Sequence, residues 1–338
     1  MSVFLDACRG EPTPYTPIWL NRQAGRYMPE YHQVKGDTPS LEFFKNPELA
    51  AKVTLDAQRI LDVDAAIMFA DLLPMLEPMG FELDYLPGIG PVFANPICDA
   101  RDVERVRVVH ADEGVGYIRQ TVANIRQDLP KGVALIGFAG APFTLASYVI
   151  EGKSSRDFAK TKKLMFGSLS AWNELMEKLT SAVGDYVELQ MDAGVDAVQI
   201  FDSWVGTLSS ADYEYYVASH VKRLMSRIGG RVPIIYFAVG NSHLLHAMQS
   251  TGPDFLALDW RVALNEAWDD LGTIAIQGNL DPLVLCADRA TVQIKAEEIL
   301  DSVAGRPGHI FNLGHGIVPQ TPVDHVRYLV DFVHEHTS

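Results

Sequence analysis

Gly132-Val133-Ala134-Leu135-Ile136-Gly137-Phe138-Ala139-Gly140-Ala141-Pro142-Phe143-Thr144-Leu145-Ala146-Ser147-Tyr148-Val149-Ile150 carries no formal charge and is long enough for a membrane span. Its interior argues for a different fold. Gly137, Gly140 and Pro142 interrupt the run. Proline is excluded from helix interiors but suited to a first helical turn, so the stretch divides into a strand-like Val133–Ile136, a turn, and a helix beginning near Pro142. A strand that feeds a helix is half of a βαβ unit, not a transmembrane segment.

The same unit recurs on both sides. Short apolar runs stand at Ala65–Phe69, Val195–Phe201, Pro233–Phe237, Phe255–Leu258, Thr273–Ile276 and His309–Phe311. Helical intervals are expected at Ser168–Met191, Asp212–Ile228, Thr291–Val303 and Pro322–Val333. Strands that read as continuous apolar runs are buried on both faces, as in parallel sheets covered by helices. No Gly-x-Gly-x-x-Gly turn follows any of them, and Gly88-Ile89-Gly90-Pro91 lacks the third glycine and reads as a turn. The expectation is an α/β fold: a single, distorted (β/α)8 TIM-type barrel over residues 1–338, with no linker or low-complexity segment dividing it.

Composition narrows the function. With 48% hydrophobic and 21% charged residues, the 338-residue chain can bury a large core and is not disordered. A formal net charge of −15 repels nucleic acid and anionic membranes, so neither is an expected partner. Local arginines can still hold a polyanion, because charges beyond roughly 8 Å are screened at physiological salt. Cys8, Cys98 and Cys286 are widely spaced, without a C-x-x-C, which fits a reducing cytosol better than a disulfide framework or a zinc site. The first residues place Asp6 and Glu11 beside a short apolar patch without a basic region, unlike a signal peptide, so the location expected is cytoplasmic. His243 and His246 have helical spacing but no further ligand, so no metal is expected, and no lysine follows an apolar run as a Schiff-base candidate.

Barrels place functional groups just after the carboxyl ends of their strands. Asp71 follows Ala65–Phe69, Ser203 follows Val195–Phe201 and His315 follows His309–Phe311, while Tyr148 lies farther along, beyond Pro142. Each has an ordinary structural alternative: a helix cap for Asp71 or Ser203, core packing for Tyr148, a turn for His315. Asp202 is a weaker candidate beside Ser203. The stretch Pro17–Tyr31 adds Arg22 and Arg26, spaced as one helical turn with the small residues Ala24 and Gly25 between them. Two guanidinium forks on one face form a clamp for a multiply anionic ligand, and the same spacing also suits a solvated helix face pairing with Glu30 or Asp37.

The literal string goes further. Pro17-x-Trp19-x-x-Arg22-Gln23-Ala24-Gly25-Arg26-Tyr27-x-Pro29-Glu30-Tyr31 closely resembles the amino-terminal signature of the uroporphyrinogen decarboxylases. Gly137–Tyr148 resembles that family's second signature. Phe69-Ala70-Asp71-Leu72-Leu73-Pro74, Phe201-Asp202-Ser203-Trp204 and Asn312-Leu313-Gly314-His315-Gly316 extend the similarity over nearly the whole chain. Asn21 departs from it, standing where the family pattern leads one to expect methionine, which bears on local packing more than on function.

The resemblance implies a distorted barrel whose amino-terminal extension contributes to the cleft, a homodimer, and cofactor-independent decarboxylation of the four acetate arms of uroporphyrinogen III to coproporphyrinogen III. It implies Asp71 and Arg22 as catalytic residues, and Arg22, Gln23, Ala24, Gly25, Arg26, Asp71, Tyr148, Ser203 and His315 as substrate-binding ones. The rivals are a corrinoid-dependent methyltransferase of the same superfamily and a non-catalytic tetrapyrrole-binding protein. The methyltransferase is expected to hold zinc through a His-x-Cys pattern that this chain lacks.

Overall fold

A computed structural model describes residues 2–338. Its strands are β1 (Ala65–Ile67), β2 (Leu83–Leu86), β3 (Gly90–Phe93), β4 (Ala134–Gly140), β5 (Ala197–Asp202), β6 (Ile234–Ala238), β7 (Phe255–Ala257), β8 (Ile276–Gln277) and β9 (His309–Ile310). Seven of them form one parallel sheet in the order β1-β4-β5-β6-β7-β8-β9, and β2 and β3 make a separate antiparallel hairpin. The stretch read first divides as its punctuation predicts. β4 is buried at every position, and Pro142 opens the helix Pro142–Glu151.

The amino-terminal signature closes the ring. Ile18 bridges Phe311 in parallel. Phe311 N–H donates to the Pro17 carbonyl at 2.8 Å, and Trp19 N–H to the Phe311 carbonyl at 3.3 Å. On the other flank Asp64 N–H donates to the Ile18 carbonyl at 3.0 Å, while the Asp64 carboxylate accepts from Ile18 N–H at 2.7 Å. The extended segment 17–20 is therefore the eighth stave, seated between β9 and β1, and the (β/α)8 barrel is complete. Because this stave runs parallel to the others, its carboxyl end delivers Arg22 to the barrel face where strand-end residues gather.

Helices cover the outside, among them Pro47–Leu61, Tyr117–Asp128, Leu169–Ala193, Arg289–Val303 and Val323–Thr337. Trp172, Trp268 and Tyr213 are fully buried in the layer between helices and sheet. No helix among the described residues is long and apolar enough to cross a membrane.

Two readings of the sequence need correction. The interval Asp212–Ile228 is two helices, Ser210–Tyr216 and Ala218–Ile228, separated at Val217 (φ −127°, ψ −47°). The break turns the Tyr216 carbonyl to the Trp172 indole N–H, which donates to it at 2.9 Å. The run Thr273–Ile276 enters the sheet only at Ile276, leaving Ile274 exposed.

Candidate active site

Arg22 and Arg26 do not lie on a helix. Residues 21–27 are turns and bends, and the next helix, Pro29–Lys35, starts beyond them. Arg22 itself has φ +62°, the left-handed region, which costs a non-glycine residue about 1–2 kcal/mol per residue. Its neighbours hold it there. Gln23 is buried, its side-chain carbonyl accepting from Leu20 N–H at 3.0 Å and its amide donating to the Ala65 carbonyl at 3.0 Å. Both hydrogen bonds fix the turn between the eighth stave and β1. Ala24 and Gly25 follow, part-exposed.

Asn21 fixes the other side, and its departure from the family pattern has a structural counterpart. Its side-chain oxygen accepts from Gln199 Nε2 at 3.1 Å and its Nδ2 donates to the Leu313 carbonyl at 3.2 Å. Its backbone N–H donates to Asn312 Oδ1 at 3.0 Å, and its carbonyl accepts from Ile317 N–H at 3.0 Å. The chain of amides continues across the barrel: Gln277 Nε2 donates to Gln199 Oε1 at 2.9 Å, and the Trp19 indole N–H donates to Gln277 Oε1 at 2.9 Å. A methionine side chain at position 21 would keep the two backbone bonds but make neither side-chain bond, leaving the buried Gln199 amide without its acceptor. Asn21→Met is expected to lower unfolding stability by about 1–3 kcal/mol and to raise KM by loosening Arg22; denaturant titration and steady-state kinetics check the two effects separately.

Asp71 sits beyond β1, and one carboxylate oxygen accepts from Leu73 N–H at 3.0 Å, closing a local turn just ahead of the short helical turn Pro74–Leu76, which has no side-chain cap. The expected helix cap is therefore absent, and the residue keeps accessible surface at the barrel mouth. Burial raises its pKa, opposed by the Tyr85 hydroxyl, the N–H groups of Leu73 and Leu72, and the positive charge of Arg22. The Tyr85 hydroxyl, reaching in from the hairpin, is buried near Asp71 and makes no hydrogen bond among the described residues.

Tyr148 is part-exposed on a helix whose other residues are mostly buried. Its ring meets Trp204 edge-on, with centroids 5.8 Å apart. Burial and the nearby Asp71 charge push its hydroxyl up to about 12, with Arg22 opposing, so it is a proton donor at neutral pH. Ser203 follows β5 and is part-buried, with no side-chain hydrogen bond among the described residues. Asp202 turns inward instead: fully buried, it accepts from Thr144 Oγ1 at 2.7 Å and from the Tyr236 hydroxyl at 2.8 Å, and burial raises its pKa to about 6.

His315 accepts from Gly316 N–H through Nδ1 at 2.6 Å. Burial lowers its pKa to about 4, helped by the charges of Arg22 and Arg261, so the ring is neutral at pH 7. With Nδ1 accepting, the proton resides on Nε2, a donor for an anionic oxygen. Glycine is required next door. A Cβ on Gly316 would lie 2.4 Å from Arg22 Cδ, so the Arg22 side chain passes directly across this turn.

Arg22, Asp71, Tyr148 and His315 thus share one electrostatic neighbourhood. Arg26 stands apart from it. It is exposed, its carbonyl is 2.8 Å from the His32 ring, and its charge acts on Tyr31. His243 contacts the Leu208 carbonyl and His246 pairs with Asp270, and no three His, Cys, Asp or Glu among the described residues are grouped to hold a metal. The sequence reading passed over Tyr85, on an inserted hairpin that offers no strand-end signal, and Arg261, which stands just beyond β7 where the strand-end rule points.

Tyr148, within the electrostatic reach of both Asp71 and Arg22, packs edge-on against Trp204, so an aromatic pair borders the anion and the cation, and part-buried Phe69 and Phe201 stand at the carboxyl-terminal ends of β1 and β5. That arrangement suits a flat ring with N–H groups at its centre and carboxylates at its rim. Comparison with known proteins gives the family from sequence and the fold from shape. The family model "Uroporphyrinogen decarboxylase (URO-D)" matches residues 1–336. A uroporphyrinogen decarboxylase from Roseiflexus is 50% identical, covering 100% of this chain and 99% of its own, and one from Geobacter metallireducens is 47% identical over 98% and 97%. Among solved structures, a methyltransferase from Methanosarcina mazei superposes with a TM-score of 0.82 at 22% identity over 98% of this chain and 97% of its own, a likeness of fold alone. With sequence identity near one half along its entire length, the chain belongs to the uroporphyrinogen decarboxylase family.

Proposed function

We propose that this chain converts uroporphyrinogen III to coproporphyrinogen III and carbon dioxide, acting as a single cytoplasmic domain that pairs into a homodimer. Full-length identity to proteins bearing that activity's name supports the reading, and the juxtaposition of Arg22 with Asp71 carries it. In the reaction a pyrrole carbon is protonated and the ring becomes cationic. The bond from the acetate methylene to its carboxylate then breaks, and its electron pair enters the ring as carbon dioxide leaves. The resulting exocyclic methylene takes up a proton, the ring carbon loses the one it gained, and a methyl group remains. The macrocycle serves as its own electron sink, the task for which other decarboxylases recruit a cofactor.

Each side chain has a part. Asp71 accepts hydrogen bonds from the pyrrole N–H groups and stabilises the ring cation. Arg22 and Arg26 bind acetate or propionate carboxylates, with Tyr148, Ser203 and neutral His315 donating further hydrogen bonds. Gln23 holds the turn, and Ala24 and Gly25 keep it open to the ligand. Anaerobic incubation with uroporphyrinogen III tests the proposal. Stepwise loss of carboxylates with equimolar carbon dioxide is expected; tight binding without gas release would instead identify a tetrapyrrole carrier.

A further inference from the structure

We propose that Arg261 forms an additional carboxylate subsite, on the side of His315 opposite Arg22, that takes a peripheral acid arm of the macrocycle; the inference rests on the tetrapyrrole reading above. Arg261 lies just beyond the carboxyl end of β7 and so belongs to the barrel's functional face. Asp259 anchors it from below. That carboxylate is completely buried and accepts from Gly240 N–H, from Arg261 N–H at 2.8 Å and from Arg261 Nη1 at 2.8 Å.

The guanidinium is also braced on its face, its central carbon 3.8 Å above the Trp260 ring. Trp260 in turn carries the position of His315, with ring centroids 6.4 Å apart at 34°. A Cβ on Gly314 would lie 2.2 Å from Trp260 N, so the His315 turn rests directly on this loop. Arg22 crosses the far side of the same turn, at Gly316.

Neutralising Asp259 does not account for this arrangement. Two backbone N–H groups already meet that carboxylate, and Arg261 gives it a single side-chain nitrogen. The side chain remains 51% exposed, and its other N–H groups have no partner among the described residues. An immobilised fork with free donors, beside a neutral imidazole and a second guanidinium, has the chemistry of a carboxylate receptor. The substrate offers eight carboxylates, more than Arg22 and Arg26 alone can meet.

Uroporphyrin, the stable oxidised macrocycle with the same acid arms, serves as the binding probe by fluorescence titration. Arg261→Gln is expected to weaken its binding about tenfold and to flatten the dependence on salt, since one charge-assisted contact is lost. With uroporphyrinogen the loss should fall chiefly on KM. Because Arg261→Gln deprives Asp259 of a partner, the pair Asp259→Asn with Arg261→Gln removes the buried charge as well, and the same weakening is expected from it. Arg261→Lys, which retains charge without the fork, should recover only part of the affinity. Binding within twofold of the parent protein in both the single and the double variant overturns the subsite. The decarboxylase reading is tested separately: a parent protein that binds uroporphyrin but releases no carbon dioxide from uroporphyrinogen refutes that reading, while the titration still measures what Arg261 contributes.

Discussion

Asp71→Asn is expected to lower kcat about 100- to 1,000-fold with little change in fold, because the substitution removes a preorganised charge and almost nothing else. The amide keeps an oxygen that can accept from Leu73 N–H, so the local turn ahead of Pro74–Leu76 survives. What disappears is the anion that faces the pyrrole nitrogens when the ring becomes cationic. The ground state carries less positive charge on the ring, so the loss should appear in kcat more than in KM. Single-turnover measurement of carbon dioxide release checks this. A variant retaining kcat within about threefold would remove Asp71 from the chemistry.

The same residue sets a pH dependence whose two consequences have opposite signs. Burial holds the Asp71 pKa above the ordinary aspartate value in the folded protein. The active anion is therefore lost as pH falls through that raised value, and the acid limb of kcat/KM should lie above the range of an exposed aspartate. For stability the sign reverses. A folded-state pKa above the unfolded one means the buried anion opposes folding at neutral pH, and protonation on acidification relieves that cost. Asp71→Asn should then unfold at a higher denaturant concentration than the parent at pH 7, with the difference shrinking as pH falls. Activity given up for stability at one position is what a site holding an expensive charge for its reaction should display.

How far such a site can be read from sequence depends on which forces specify each part. β4 and the helix after it were legible because burial on both faces writes a continuous apolar run and Pro142 marks the next start. Asp71 and His315 were legible by the same logic, as polar residues placed immediately after such runs. The eighth stave was not. Segment 17–20 has a single ladder bridge, contains Pro17, and owes its place to a side-chain clamp from Asp64 and to pairing with Phe311, some 290 residues away. No local pattern encodes partners that distant.

Its continuation misleads for a related reason. Arg22 and Arg26 are spaced like helix neighbours, but the amide contacts of Asn21 and Gln23 impose a left-handed residue between them. Those contacts come from Gln199, Leu313 and Ala65, which only the closed barrel brings together. Tyr85 was invisible because it arrives on a hairpin inserted between a strand and its helix, where strand-end reasoning has no purchase. Arg261, by contrast, satisfied the rule and was overlooked among several charged loop residues.

Arg22 is the position where geometry and charge can be separated, and Arg22→Lys is expected to lower kcat/KM about 10- to 100-fold through a rise in KM. Lysine preserves the positive charge but offers a single rotating ammonium in place of a planar fork. The charge has two further effects in the free protein: it opposes the burial-driven rise of the Asp71 pKa and helps hold His315 neutral. Both should persist in Arg22→Lys, leaving the acid limb of the pH profile close to that of the parent. Arg22→Met removes fork and charge together. In that variant the acid limb should move upward, because Asp71 loses the cation that favours its ionised form, and kcat should fall as well as KM rise. The backbone is common to both substitutions, so the strain at φ +62° cannot account for a difference between them. Equal turnover and affinity in Arg22→Lys and the parent would show that the site uses Arg22 only as a point charge. An acid limb that stays put in Arg22→Met would show that Asp71 does not sense it at all.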